Sequence, residues 1–186
     1  MLAKAILSDQ AFAGWLLILS AIIFCAGGML YTGRAIWKWS AGQTHTYLVL
    51  ERGFVITALL VAVLGFNLLE RMLEAAGDRI MAPSGMALLL IAAAVVTVGE
   101  TFFISRQGWI YASFVVFVIL AFLAEAIFGG SLLRTGLLPA WIGWGVILWN
   151  LGWLVILPVA RPSDMYYPWL HYIAPLVIGI GLLVKR

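Results

Sequence analysis

Charge is what this sequence has least of: Asp, Glu, Lys and Arg make up 10% of its 186 residues, 65% are hydrophobic, and the mean hydropathy is +1.09. Soluble domains carry about 25% charged residues. Eleven basic and eight acidic side chains cannot coat a chain this apolar, so a water-soluble fold is excluded and lipid must cover much of the surface. Cysteine is nearly absent too. The single one, Cys25, lies within an apolar run, which rules out an intrachain disulfide and a cysteine-built zinc or iron–sulfur site. The two histidines, His45 and His171, fall in a connection and at the start of the last apolar run, an arrangement unsuited to a bis-histidine haem.

Other absences narrow the function. There is no Gly-rich phosphate loop, nucleophile elbow, HExxH or CxxC motif, so no catalytic residue and no metal ligand is assigned, no cofactor is identified, and the chain leans away from being an enzyme. Its basic residues are scattered singly rather than gathered into a patch, which argues against nucleic acid as a partner. No repeat and no polar linker divides the chain, so a single domain is expected.

What is present is a series of apolar runs at 11–32, 53–75, 83–105, 109–130, 139–160 and 168–184. About 20 residues cross a hydrocarbon core as a helix, whereas a membrane strand needs only about ten. The runs therefore predict an all-α integral membrane bundle of about six transmembrane helices, with membrane lipid as its surroundings and other membrane subunits as candidate partners. Gly77-Asp78-Arg79, Arg106-Gln107-Gly108, Arg134-Thr135-Gly136 and Arg161-Pro162-Ser163-Asp164 mark connections, and Pro83, Pro139 and Pro168 open helices. The longest connection, Gly33 to Arg52, carries Trp37, Trp39 and Tyr47 beside Arg34 and Lys38 and is expected to lie along the interface. Most other Trp and Tyr residues gather at run ends as an aromatic belt. Six crossings return both termini to one side, but basic residues divide almost evenly between the two loop sides and do not fix the orientation.

Ionisable and amide side chains at membrane depth are costly, so each is a candidate site. Asn67, Glu70, Arg71 and Glu74 share one face near the end of the second run; a helix leaving the bilayer, with Arg71 and Glu74 paired, accounts for them without a functional role. Glu100 lies about one turn from the end of the third run, within reach of Arg106 or His171. Glu125 is surrounded in sequence by Ala and large apolar residues, with no base nearer than Arg134. It must be protonated or find its partner on another helix, and Ala121 and Gly129 on its face allow that helix to come close. Asn150, in the middle of the fifth run among glycines, is expected to face protein, with Asn67 as its counterpart by depth. The ligand or proton site candidates are thus Glu125, Glu70, Glu100, Asn67, Asn150 and His171.

The stretch from Leu68 to Arg79, the Arg134-Thr135-Gly136-Leu137-Leu138-Pro139-Ala140-Trp141-Ile142-Gly143-Trp144 turn and the His171-Tyr172 opening of the last run resemble bacterial polytopic inner-membrane proteins of unknown function. The resemblance implies a multi-pass protein of a bacterial inner membrane and carries no catalytic residue with it. Three functions remain open at this level. The first is a non-enzymatic bundle binding a protein partner or an apolar ligand, as an accessory subunit of a membrane complex. The second is a small proton- or cation-coupled transporter using Glu70, Glu100 and Glu125, and the third a haem or quinone protein, or an enzyme, using His171.

Overall fold

A computed structural model of the chain describes residues 8–39, 44–105, 111–161 and 163–185. The fold is an all-α bundle of α1 (Asp9–Tyr31), α2 (Thr44–Ala75), α3 (Met81–Ile104), α4 (Tyr111–Thr135), α5 (Ala140–Ala160) and α6 (Ile173–Val184). A π-helical turn, Thr32–Ile36, prolongs α1, and a 3-10 segment, Pro168–Tyr172, leads into α6. Five helices, α1 to α5, are long and apolar enough to cross a membrane, while the last apolar segment, Pro168–Val184, is shorter.

The helix boundaries follow from local chemistry. Ser8 caps α1 by accepting a hydrogen bond from the Ala11 N–H at 3.2 Å, and Asp9 in the first turn suits the positive end of the helix dipole. Gly77 (φ +103°) and Gly136 (φ +62°) adopt left-handed backbone where α2 and α4 end, a conformation that a side chain would strain.

Each helix packs on the next around a ring, and α6 closes it against α1; the seam between α5 and α6 is the loosest. Glycine sets the closest crossings. A Cβ on Gly14 would lie 3.0 Å from the Gly179 carbonyl oxygen, and one on Gly129 would lie 2.9 Å from that of Gly143, so α1 meets α6 and α4 meets α5 almost backbone to backbone. Gln10 at the start of α1 donates to the carbonyls of Leu182 (2.7 Å) and Lys185 (3.0 Å). Both described ends of the chain therefore lie at one end of the bundle.

The connection expected to lie along the interface is shorter than its sequence suggests. Residues from Thr44 onwards belong to α2, a helix of 32 residues that is roughly 48 Å long, well beyond the ~30 Å of a hydrocarbon core. Polar residues near its start are retained in the helix because the bundle provides partners for them: Glu51 is buried and Arg52 nearly so. Trp37 and Trp39 remain exposed, with ring centroids 5.4 Å apart.

The turn between α2 and α3 rests on Asp78, whose side chain is buried. Its Oδ1 accepts hydrogen bonds from the N–H groups of Ile80 (3.1 Å) and Met81 (2.9 Å), and Arg134 approaches to 3.7 Å. Burial pushes the carboxyl up, but the Ser131 hydroxyl and the N–H groups of Met81, Ile80 and Ala82 outweigh it and hold the carboxyl below its ordinary value of 3.8. A depressed carboxyl stabilises the fold in its ionised form, and that contribution disappears as pH falls through the folded-state value. Asp78→Ala should cost about 1 kcal/mol at neutral pH, the scale of a lost helix cap. Thermal unfolding in detergent should show the gap from wild type narrowing in strong acid; a gap independent of pH would remove the carboxylate from this role.

Candidate functional site

Two polar clusters lie inside the bundle. The first occupies the end opposite the termini and begins with neighbours in sequence, Glu51 and Arg52, held in the third turn of α2. Arg34, from the π-helical turn, reaches Glu51 at 2.8 Å. Arg52 contacts Glu51 at 3.2 Å and both oxygens of Glu100 on α3 at 3.1 Å, with its guanidinium 4.6 Å from the Phe103 ring centre. The Tyr166 hydroxyl donates to Glu100 at 2.5 Å. Two guanidiniums thus neutralise two buried carboxylates, which is how ionic groups persist in an apolar environment.

The second cluster lies deeper. At 1.5 Å per residue, Glu125 stands roughly 14 Å along α4 from Arg134 at the terminal end, near the middle of a ~30 Å core. Its Oε1 is 4.0 Å from Nδ1 of His171, the 3-10 residue that precedes α6. The His171 ring is packed between Phe117 and Phe122, with centroids at 5.1 and 4.1 Å. Asn150 of α5 interacts with the Glu125 carboxyl, while its own Nδ2 donates to the Val146 carbonyl at 2.8 Å. Glu125 Oε2, Asn150 Oδ1 and both His171 nitrogens are buried without a hydrogen-bond partner among the described residues. Such groups are costly unless a water, ion or proton completes them.

Both clusters line one internal chamber. Glu100, Glu125, Tyr166 and His171 contribute to its wall, with Ala62, Phe66 and Leu89 among its apolar lining, and its volume of about 20 Å³ accommodates about one water molecule. Towards the terminal end the bundle is filled by Phe66 and Phe128, whose centroids are 4.7 Å apart, and by fully buried Leu69, Leu73 and Leu132. On the opposite side a wider cavity of about 460 Å³ opens between α1, α2 and the segment before α6. It is lined by Glu51, Arg52, Val55, Asp164, Tyr166 and Pro168, together with aromatic residues and glycines.

Four of the six candidates lie in these clusters: Glu100 in the outer one, and Glu125, Asn150 and His171 in the inner one. Glu100 is held by Arg52 and Tyr166, not by His171, which sits on Glu125 instead; Arg106 lies outside the described residues. Asn67 and Glu70 are half-buried and away from the chamber. Asn67 does not pair with Asn150, because α2 and α5 are not neighbours in the ring. Near Glu70, Arg71 and Glu74 are both exposed and form no ion pair among the described residues. Asn150 and Gly143 face protein as expected, but a Cβ on Gly145 or Gly152 would meet nothing within 4 Å, so those two glycines do not serve a helix contact. Sequence reasoning missed Glu51, Arg52 and Tyr166. The available signal was Glu51-Arg52 itself, an acidic–basic pair immediately before an apolar run of helical length. Comparison with family models, with curated proteins and with solved structures finds no match to this chain.

Proposed function

We propose that this membrane protein takes up a proton, or a cation the size of a water molecule, at Glu125 and His171. Of the three functions open to the sequence, this is the proton- or cation-coupled transporter, with its centre on Glu125 rather than Glu70. The observation that carries it is the pairing of two ionisable side chains deep in the bundle, 4.0 Å apart and with buried polar atoms that lack a hydrogen-bond partner among the described residues, both of them in the wall of a chamber for about one water. The Asn150 contact to Glu125 is the part of the site that acts as structural glue, and the Glu125–His171 pair, 4.0 Å apart, is the part that leaves room for a proton or ion. A haem or quinone at His171 would have to displace Phe117 and Phe122, so the geometry gives that reading no support. The bacterial inner membrane is the location that accompanies the resemblance in sequence.

The test is infrared difference spectroscopy on acidification in detergent. The wild type should show a protonated-carboxyl band whose shift in D2O lags behind that of exposed carboxyls, and Glu125→Gln, with its fold intact by thermal unfolding, should lack that band entirely. A spectrum unchanged by the substitution would overturn the proposal.

A second reading, binding of an apolar ligand or a partner subunit, has its own support. The loose α5–α6 seam opens into an apolar cleft of about 580 Å³ that includes Leu138, Trp141, Ile142 and Val177. Lipid or subunits that co-purify with the wild type and are lost on Ile142→Trp would favour it.

A further inference from the structure

We infer that the interior site is reached from one end of the bundle only, through the wide cavity opposite the termini, and that Tyr166 is the gate between that cavity and the chamber. The inference rests on the chamber being the working site. Three residues, Val55, Tyr166 and Pro168, line both cavities, so they form the partition between them. Val55 and Pro168 are fixed by their backbone, one in the body of α2 and the other at the first position of the 3-10 segment. Tyr166 is different, because it lies in residues 163–167, outside any helix, and its hydroxyl is latched onto Glu100 at 2.5 Å.

The latch has a built receptor. Glu100 is held from its other side by Arg52, and Arg52 is held by Glu51, which Arg34 anchors in turn. The aromatic partners of Tyr166, Phe114 at 4.4 Å and Phe117 at 5.9 Å between centroids, guide the ring in its closed position, and Phe117 also packs on His171. Loss of the hydroxyl contact to Glu100 would therefore weaken the closed position of the ring, the step that connects the outer cavity to the chamber. Towards the termini the bundle is filled by buried Phe66, Phe128, Leu69, Leu73 and Leu132, whose apolar packing opposes a passing cation, and Asp78 and Ser131, buried at that end, line neither cavity. Protons or water-sized cations should then exchange with Glu125 and His171 from the Tyr166 side alone.

The experiment uses Ag+, a thiol reagent comparable in size to a water molecule, on a full-length chain in which Cys25→Ser removes the native thiol and Ala121→Cys places one in the chamber wall, where Ala121 is buried. Arg161→Cys and Arg79→Cys, each as the sole cysteine, report exposure at the two ends in sealed vesicles. Ala121→Cys should be modified slowly, and only from the side that modifies Arg161→Cys. Adding Tyr166→Phe, which keeps the ring and removes the latch, should speed modification by roughly tenfold, the scale of one hydrogen bond to a charged group. Tyr166→Ala, which removes the partition, should speed it further. Thermal unfolding verifies that each variant folds, and Tyr166→Phe decides the matter if Tyr166→Ala does not. A rate unaffected by Tyr166→Phe in folded protein, or modification from the Arg79 side, would overturn the gate. Ag+ access does not require Glu125 to carry a proton, so failure here leaves the infrared test standing, and failure of the infrared test leaves the gate standing.

Discussion

Arg52→Ala should lower stability in detergent by about 3–5 kcal/mol, the cost of breaking a buried ionic network by removing one partner. The arginine is 12% exposed and lies between two carboxylates whose side chains are 4% and 0% exposed. Its loss would leave Glu100 with the Tyr166 hydroxyl and Glu51 with Arg34, and one net negative charge on two carboxylates that are themselves almost fully buried. Arg52→Lys should fall between the two, since an ammonium replaces the charge but not the fork that reaches both carboxylates. Arg52→Ala combined with Glu100→Gln should recover part of the loss, because the second change removes the charge that the first exposes. Thermal or denaturant unfolding measures all three. A single Arg52→Ala within about 0.5 kcal/mol of wild type, the range of an ordinary surface change, would show that the network is not desolvated.

Gly129→Val should also be damaging, though less so and for a different reason. A Cβ there would lie 2.9 Å from the Gly143 carbonyl oxygen and 3.1 Å from the Ile147 backbone nitrogen. Neither is the end of a flexible side chain, so the whole of α5 would have to retreat from α4. Overpacking of this kind costs about 1–3 kcal/mol. The effect should also reach the site, because Glu125 lies one turn before Gly129 on the same face and Asn150 lies on the helix that moves. The interior carboxyl band expected from Glu125 should therefore shift as well as the melting temperature. Gly145→Val is the control: nothing lies within 4 Å of a Cβ at that position, and its effect should stay within about 0.5 kcal/mol. Equal losses from the two substitutions would mean that α4 and α5 do not cross at Gly129.

The membrane character and the helices were legible because they depend on local quantities. Hydropathy summed over about 20 residues measures the transfer of a segment into lipid, and backbone satisfaction then leaves the helix as the form for runs of that length. Glu125 and Asn150 could be singled out in the same way, since a polar side chain far from any polar neighbour in sequence must be satisfied by something distant. The extension of α2 back to Thr44 was not legible, because its first turns are polar and gain their partners from α1 and α3.

What the sequence by itself determined is that the chain must bury its backbone polar groups in helices, cover them with lipid, and provide partners for a few polar side chains at depth. What only the tertiary structure decided is who those partners are. Which faces meet depends on the order of helices around the ring and on the glycines that let α1 approach α6 and α4 approach α5. That order joins Glu100 to Arg52 across 48 positions and brings His171 to Glu125 from a separate segment. It leaves Asn67 and Glu70 outside, although both were candidates by chemistry, because periodicity gives a residue's face on its own helix but not the helix that the face will meet.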